Sequence, residues 1–175
     1  MRIISGLEKA TNGKMIHNLE IKTGSKQWFK KVGVIYQNPN YQLFMPTVRS
    51  EIGFGAESEE IREDMIKRFQ LESIAERHPQ SLSEGQKRRV SIAAVLAARP
   101  DILLLDEPTV GQDYGRLKTL VDIVNEIHNE TENTMITVTH DLRCAEALCD
   151  RAVRIEDGVI KETGGKEMVH HYFFH

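Results

Sequence analysis

Two carboxylates, Asp106 and Glu107, directly follow an uninterrupted apolar run, Ile102-Leu103-Leu104-Leu105, and precede Pro108-Thr109. Such a run fits a strand buried on both faces of a parallel sheet, and ligands of open α/β sheets gather at the carboxyl ends of the strands. There Asp106 can hold Mg2+ through water, and Glu107 is placed to orient or deprotonate an attacking water. The competing reading is structural: Asp106 caps the following turn and Glu107 is a solvated carboxylate. Upstream, Leu82-Ser83-Glu84-Gly85-Gln86 fits a capping box, with Ser83 at the N-cap and Gln86 at the third helical position. The same geometry has a second use, because a helix N-terminus with a glycine admits a phosphate close to the backbone. Ser83 would add a hydroxyl donor, and Glu84 must then point away from the anion. His140 follows a second apolar run, Met135 to Val138, and so emerges on the rim that carries Asp106, where it can hold or sense a γ-phosphate. A surface histidine at a helix start is the plain alternative. Gln37 ends the β-rich run Val32-Gly33-Val34-Ile35-Tyr36 and could reach Mg2+ or the water, unless it is simply a loop residue. Taken together, in the chain order Gln37, Leu82–Gln86, Ile102–Thr109 and Thr139-His140, the four elements point to hydrolysis of a nucleoside triphosphate. No G-x-x-x-x-G-K-[ST] phosphate loop occurs in the 175 residues.

Periodicity indicates the elements that must position these residues. Ile61, Met65, Ile66 and Phe69 recur at helical spacing between Glu59 and Gln70. A second helix is expected from Ser83 to about Ala98, with Val90, Ala93, Ala94 and Ala97 on one face and Pro100 ending it. Leu117, Leu120, Val121, Val124 and Ile127 mark a third. Ile102–Leu105, Met135–Val138 and Ala152–Ile155 read as strands, with a short helix from Leu142 to Leu148. The alternation of strand and helix argues for a three-layer α/β sheet. From about Pro39 to Gln80 no strand matches, which reads as a helical insertion. Met1 to Leu7 reads as the last turns of a helix, and Asn12-Gly13 as a hairpin turn. Lys87-Arg88-Arg89 reads as a solvated helix face.

The bulk properties bound the function. A length of 175 residues suits one domain with a real core. The formal charge of −3 argues against a dedicated nucleic-acid binder. No apolar run is long enough to span a bilayer. Cys144 and Cys149 read as reduced thiols, and the terminal His170-His171-Tyr172-Phe173-Phe174-His175 as a frayed or cut end.

On these motifs the chain resembles the nucleotide-binding ATPase subunits of ABC transporters. Leu82–Gln86 is similar to the family signature LSGGQ, with Glu84 in place of the first glycine. Ile102–Glu107 resembles the Walker B strand with its catalytic glutamate, Gln37 the Q-loop and His140 the switch histidine. Gly111-Gln112-Asp113 resembles the D-loop, which usually reads G-L-D, so Gln112 departs from it. Gln37-Asn38-Pro39-Asn40-Tyr41-Gln42-Leu43-Phe44 with Pro46-Thr47-Val48 is similar to the cobalt and energy-coupling-factor branch, which imports metal ions or vitamins.

The resemblance implies a P-loop NTPase-like fold over residues 1–175, with a helical subdomain at about 39–98 and core parts at 1–38 and 99–175. It implies that the N-terminal part, with the phosphate loop, is missing, so the chain by itself would be inactive. It implies ATP and Mg2+ as cofactors, Glu107, His140 and Gln37 as catalytic residues, and Asp106 and Gln37 as Mg2+ holders. Ser83, Gly85 and Gln86 would act in trans on a nucleotide held by a second ABC ATPase subunit, with Asp113 in the D-loop. A transmembrane transporter subunit is the further expected partner, at the cytoplasmic face of the membrane. Two alternatives remain open: a non-catalytic dimerisation subunit that lends its signature to an intact partner, and a soluble, non-transport ABC-type ATPase.

Overall fold

The computed structural model describes residues 1–13, 15, 16, 26–108 and 114–174. A short helix, α1 (Lys26–Lys31), leads into β1 (Val32–Ile35). Between β1 and the next strand only helical elements occur: α2 (Val48–Gly53), α3 (Glu59–Arg68) and α4 (Glu84–Ala97), with 3-10 turns at Pro39–Tyr41, Glu72–Ile74 and Pro79–Ser81. Then follow β2 (Ile102–Asp106), α5 (Tyr114–Thr131), β3 (Thr134–Val138) and α6 (Leu142–Leu148). The chain continues through β4 (Arg151–Glu156), β5 (Val159–Gly165) and α7 (Lys166–Phe174).

β1, β2 and β3 form a parallel sheet in that order, with Ile35 opposite Leu105 and Asp106 opposite Val138. Successive side chains on a strand point to opposite faces, and the two faces of β2 meet different layers. Leu103 and Leu105 join the main core with Ile35, α4 residues Val90, Ile92, Ala93 and Leu96, and α5 residues Leu120, Val124 and Ile127. Ile102 and Leu104 pack on Trp28, with Met1 and Ile4 beside it. β2 is thus covered on both sides, which is why it reads as a continuous apolar run.

The helices start and stop where local chemistry dictates. Ser83 and Gln86 form a full capping box at the start of α4. At its other end Arg99 takes a left-handed φ of 44° just before Pro100, which cannot continue a helix. Asp141 caps α6 by accepting from the Arg143 backbone N–H over 2.9 Å.

Several expectations are corrected. Met1–Leu7 is a single turn, closed by Ser5 N–H donating to Met1 O over 2.9 Å, and Gly6 at φ 81° ends it. One hydrogen-bonded turn does not propagate without further helical residues; its place is held instead by Trp28, whose Nε1–H donates to Ile4 O over 3.0 Å. The strand expected at Ala152–Ile155 exists, but it belongs to a separate antiparallel pair, β4 with β5. Asp157 and Gly158, both at positive φ (52° and 75°), turn the chain straight back in a hairpin. The outer edge of β3 pairs with no strand among the described residues. Asn12-Gly13 has no strand on either side among the described residues, and the terminal residues through Phe174 form α7.

Candidate functional site

The parallel register brings three strand ends to one rim. Ile35 pairs with Leu105, so Gln37 leaves β1 beside the residues that leave β2; Asp106 pairs with Val138, so His140 follows on the far side. Glu107 lies between them and leaves β2 in the left-handed region, at φ 46°. A non-glycine residue held there marks local strain, and such positions cluster at functional sites. Its N–H still donates to Val138 O over 2.9 Å, which pins the turn to β3. The turn aims the side chain at His140. His140 Nδ1–H donates to Glu107 Oε1 over 2.7 Å, and the His140 N–H reaches Oε2 at 3.4 Å. The carboxylate is 17% exposed and the imidazole 77%. The hydrogen bond to Glu107 raises the His140 pKa above the ordinary histidine value.

Asp106 is half-buried at the end of β2. Its carboxylate and the Gln37 amide oxygen are hard oxygen donors, of the kind Mg2+ takes alongside phosphate oxygens and water. No group of three or more His, Cys, Asp or Glu side chains suited to an all-protein metal cage exists among the described residues. That donor set suits an ion shared with a bound phosphate.

The second group, Ser83, Gly85 and Gln86, lies on the first turn of α4. Ser83 Oγ accepts from the Gln86 N–H over 3.4 Å, and the Gln86 Oε1 accepts from the Ser83 N–H over 3.0 Å. The capping-box reading therefore holds, and an incoming anion would compete for these donors. Glu84 is turned back along the helix, with Oε1 3.2 Å from Lys87 Nζ, as a phosphate site at this turn requires. Ser83, Gly85 and Gln86 border a cleft shared with Gln70, Arg89 and Thr119. Among the described residues no hydrogen bond joins Ser83, Gly85 or Gln86 directly to Gln37, Asp106, Glu107 or His140. Asp113, with Gly111 and Gln112, lies outside the described residues.

The solvated face expected at Lys87-Arg88-Arg89 is not what forms. Lys87 is 8% exposed and Arg88 5%. Lys87 Nζ donates to Asn40 Oδ1 over 2.8 Å, and Arg88 donates to the Gln37 carbonyl. A sequence signal was available: Lys87 and Arg88 fall between the capping box and the apolar face of α4, one turn from Val90 and Ser91, both buried. Sequence reading also missed Glu51. It is buried on α2 and accepts the Phe44 and Met45 N–H groups on one oxygen at 2.8 and 2.7 Å.

Comparison with known proteins bears on the family and the fold. The family model described as ABC transporter matches residues 1–110. The energy-coupling factor transporter ATP-binding protein EcfA of Pediococcus pentosaceus is 39% identical over 80% of this chain and 52% of its own length. EcfA2 of Bacillus subtilis is 36% identical over 92% of this chain and 64% of its own. The chain thus spans between about half and two thirds of these curated relatives. Among solved structures, cbiO1 from Clostridium perfringens, part of the ABC transporter complex cbiONQ, superposes with a TM-score of 0.81 at 27% identity, covering 97% of this chain and 72% of that one. The ATP-binding cassette MJ0796, in a dimeric post-hydrolysis state bound to ADP and Pi, gives 0.78 at 29%, covering 94% and 78%. The chain has the P-loop NTPase-like ABC ATPase fold and belongs to the ABC transporter family.

Proposed function

We propose that this chain is the ATP-binding and ATP-hydrolysing part of a subunit that powers an ABC importer of the metal-ion or vitamin class, through ATP-driven closure of a dimer. The observation that carries this reading is the convergence of Gln37, Asp106, Glu107 and His140 at adjacent parallel strand ends, with Glu107 hydrogen-bonded to His140. Bound Mg2+ would offset the charge on the phosphate oxygens. Asp106 and Gln37 offer it oxygens. Glu107 orients or deprotonates the attacking water, and His140 holds the carboxylate in direction while facing the γ-phosphate. Ser83, Gly85 and Gln86 present the N-terminus of α4 to a nucleotide held by a second ABC ATPase subunit, where the helix dipole favours an anion. Asp113 would serve as the D-loop aspartate.

The importer class rests on the relatives, which carry energy-coupling-factor names, and on the cbiO1 fold. For the membrane partner, residues 39–98 expose aromatic surface. Phe44 and Phe54 are 65% and 67% exposed and meet edge to face, with ring centroids 5.2 Å apart. Burial of such a pair against a transmembrane subunit is the natural use of that surface. No helix among the described residues is long and apolar enough to cross a membrane, and the proposed place is peripheral, on the cytoplasmic face. A nucleic-acid partner does not fit the formal charge of −3.

A second reading is a dimerisation subunit that only lends its signature. One experiment separates the two. Residues 1–175 are fused behind a G-x-x-x-x-G-K-[ST] segment, and ATP turnover and binding are measured with and without Glu107→Gln. The substitution is expected to cost about 10²–10⁴-fold in turnover and to leave ATP binding intact. Near-full activity in Glu107→Gln removes Glu107 from the mechanism. A fusion that binds ATP but never turns it over favours the dimerisation reading.

A further inference from the structure

Arg88 is a buried cation with no carboxylate hydrogen-bonded to it among the described residues. Its Nη2 donates to the Gln37 carbonyl, and its Nη1 is shared between the Glu107 carbonyl at 3.5 Å and the Pro108 carbonyl at 3.4 Å. Three carbonyls from two separate loops thus form its hydrogen-bonding shell. Burial lowers the Arg88 pKa from the usual arginine value, and the Glu84 charge opposes this. A guanidinium with solvent within reach would not bear that desolvation for packing alone.

We propose that Arg88 is a positioning residue, a latch on the signature helix that holds the loop after β1 and the loop after β2 together and so sets the direction of the Gln37 and Glu107 side chains. This rests on the proposed function for its consequence, though not for its geometry. The latch reads backbone, so it fixes the φ and ψ of residues whose side chains do the work. It acts where Glu107 is held at φ 46°, a conformation that needs outside support. The carbonyl of the same residue points to Arg88, while its N–H points to Val138. Glu107 is therefore pinned from both sides of its turn.

The residue type is specific. A planar guanidinium presents five donors in a fixed fork and can serve carbonyls on two loops at once; a lysine ammonium is a point charge on a flexible stem. The adjacent Lys87 shows the contrast. Its ammonium grips Asn40 and Glu84, tying the same post-β1 loop to the signature turn by a local pair. Arg88 reaches past it, to the sheet rim. Ser83, the cap of α4, lies five residues before Arg88 on the same helix. The element that would touch the partner's nucleotide is thus bonded, within two turns, to the loops that would act on the chain's own.

The test uses hydrogen exchange in residues 1–175 carrying Arg88→Lys or Arg88→Met, with kinetics in the phosphate-loop fusion. The reporting amides are Tyr36, bonded to Gln42 Oε1 at 3.1 Å, Gln42, bonded to Pro39 O at 3.1 Å, and Glu107, bonded to Val138 O at 2.9 Å. Both variants are expected to exchange about tenfold faster or more at these amides, while the interior of α4 from Val90 to Leu96 stays protected. In the fusion, kcat falls about tenfold with KM for MgATP changed by less than about threefold. Uniform acceleration along the whole chain, no acceleration at either loop, or full replacement of Arg88 by lysine would each overturn the latch. A wild-type fusion without ATP turnover would sink the proposed function, and the exchange pattern would still decide the role of Arg88.

Discussion

Glu107 and His140 are joined at the rim by a hydrogen bond of 2.7 Å, and the pair is sensitive to pH. Glu107 raises the pKa of His140. A group whose folded pKa is raised contributes stability that is fully present below its unfolded value, about 6.5 for histidine, and that is lost as pH rises through the folded value. The contact should therefore be firm in mildly acidic solution and loosen as the solution becomes alkaline. NMR titration of the His140 ring is expected to give a midpoint above about 6.5, falling back towards about 6.5 in Glu107→Gln. An unchanged midpoint in that variant would mean that something other than Glu107 perturbs the ring. Removing the imidazole should also matter to chemistry. In the phosphate-loop fusion, His140→Ala is expected to lower turnover in the manner of Glu107→Gln, read by the same assay.

At the scale of elements, the distance between β1 and α4 decides whether Gln37 and Arg88 can meet. Gly33 sets that distance. A Cβ on Gly33 would lie 2.6 Å from Val95 Cγ1 and 2.9 Å from Pro100 Cγ, closer than real Cβ contacts come. Val95 is on α4 and Pro100 ends the segment after it, so Gly33→Ala must push the helix away from the strand. Overpacking of this kind costs about 1–3 kcal/mol, which chemical denaturation would measure. Arg88 donates to the Gln37 carbonyl four residues further on, so the same variant should expose the Tyr36 and Gln42 amides. Loss of stability smaller than about 0.5 kcal/mol, the range of an ordinary surface change, would show that α4 yields there at little cost. The helical segment is held to itself by a polar network as well: Arg49 on α2 bonds Glu63 of α3 and reaches Glu76 at 2.6 Å. Those side chains are exposed, and each such pair contributes little.

For residues 1–175 as a whole, the edge of β3 that pairs with no strand among the described residues and the absence of a phosphate-loop motif within the 175 residues set the expectation. The motif's backbone N–H groups and lysine supply much of the anion stabilisation at such sites. Residues 1–175 alone are therefore expected to bind MgATP weakly and to hydrolyse it at background rate. Calorimetric titration with micromolar affinity, or steady turnover, would contradict this. β3 carries no strand on its outer side among the described residues, and Val138 is 46% exposed. Because β3 is only partly buried, N–H and C=O groups on that edge without a strand partner among the described residues cost less than orphaned buried groups. Exposed edges also template pairing with other chains, and β4 and β5 add apolar surface at Val153, Ile155, Val159 and Ile160. The isolated chain should be marginally stable and prone to associate. A monomer with a cooperative melt above about 60 °C, at the upper end for mesophile domains, would count against it.

The sequence by itself determined the local features. The apolar run Ile102–Leu105 fits a strand buried on both faces, and it is buried throughout. Ser83 and Gln86 close the capping box that their spacing required. Gln37, Asp106 and His140 were legible as rim residues because each follows a strand, and parallel strands put such ends together without further information. Asp157-Gly158 is a hairpin dipeptide that pairs β4 with β5 rather than with the parallel sheet expected for Ala152–Ile155. Tertiary structure decided what periodicity does not encode. Lys87 and Arg88 are charged, and helical spacing alone puts charged residues towards water; the arrival of Asn40 beside Lys87 and of the Gln37 and Pro108 carbonyls beside Arg88 makes burial tolerable there. The aim of Glu107 at His140 likewise depends on one positive φ, fixed by a bond to Val138 more than thirty residues away in the chain. Spacing specifies which residues reach the rim, and long-range hydrogen bonds specify where they point.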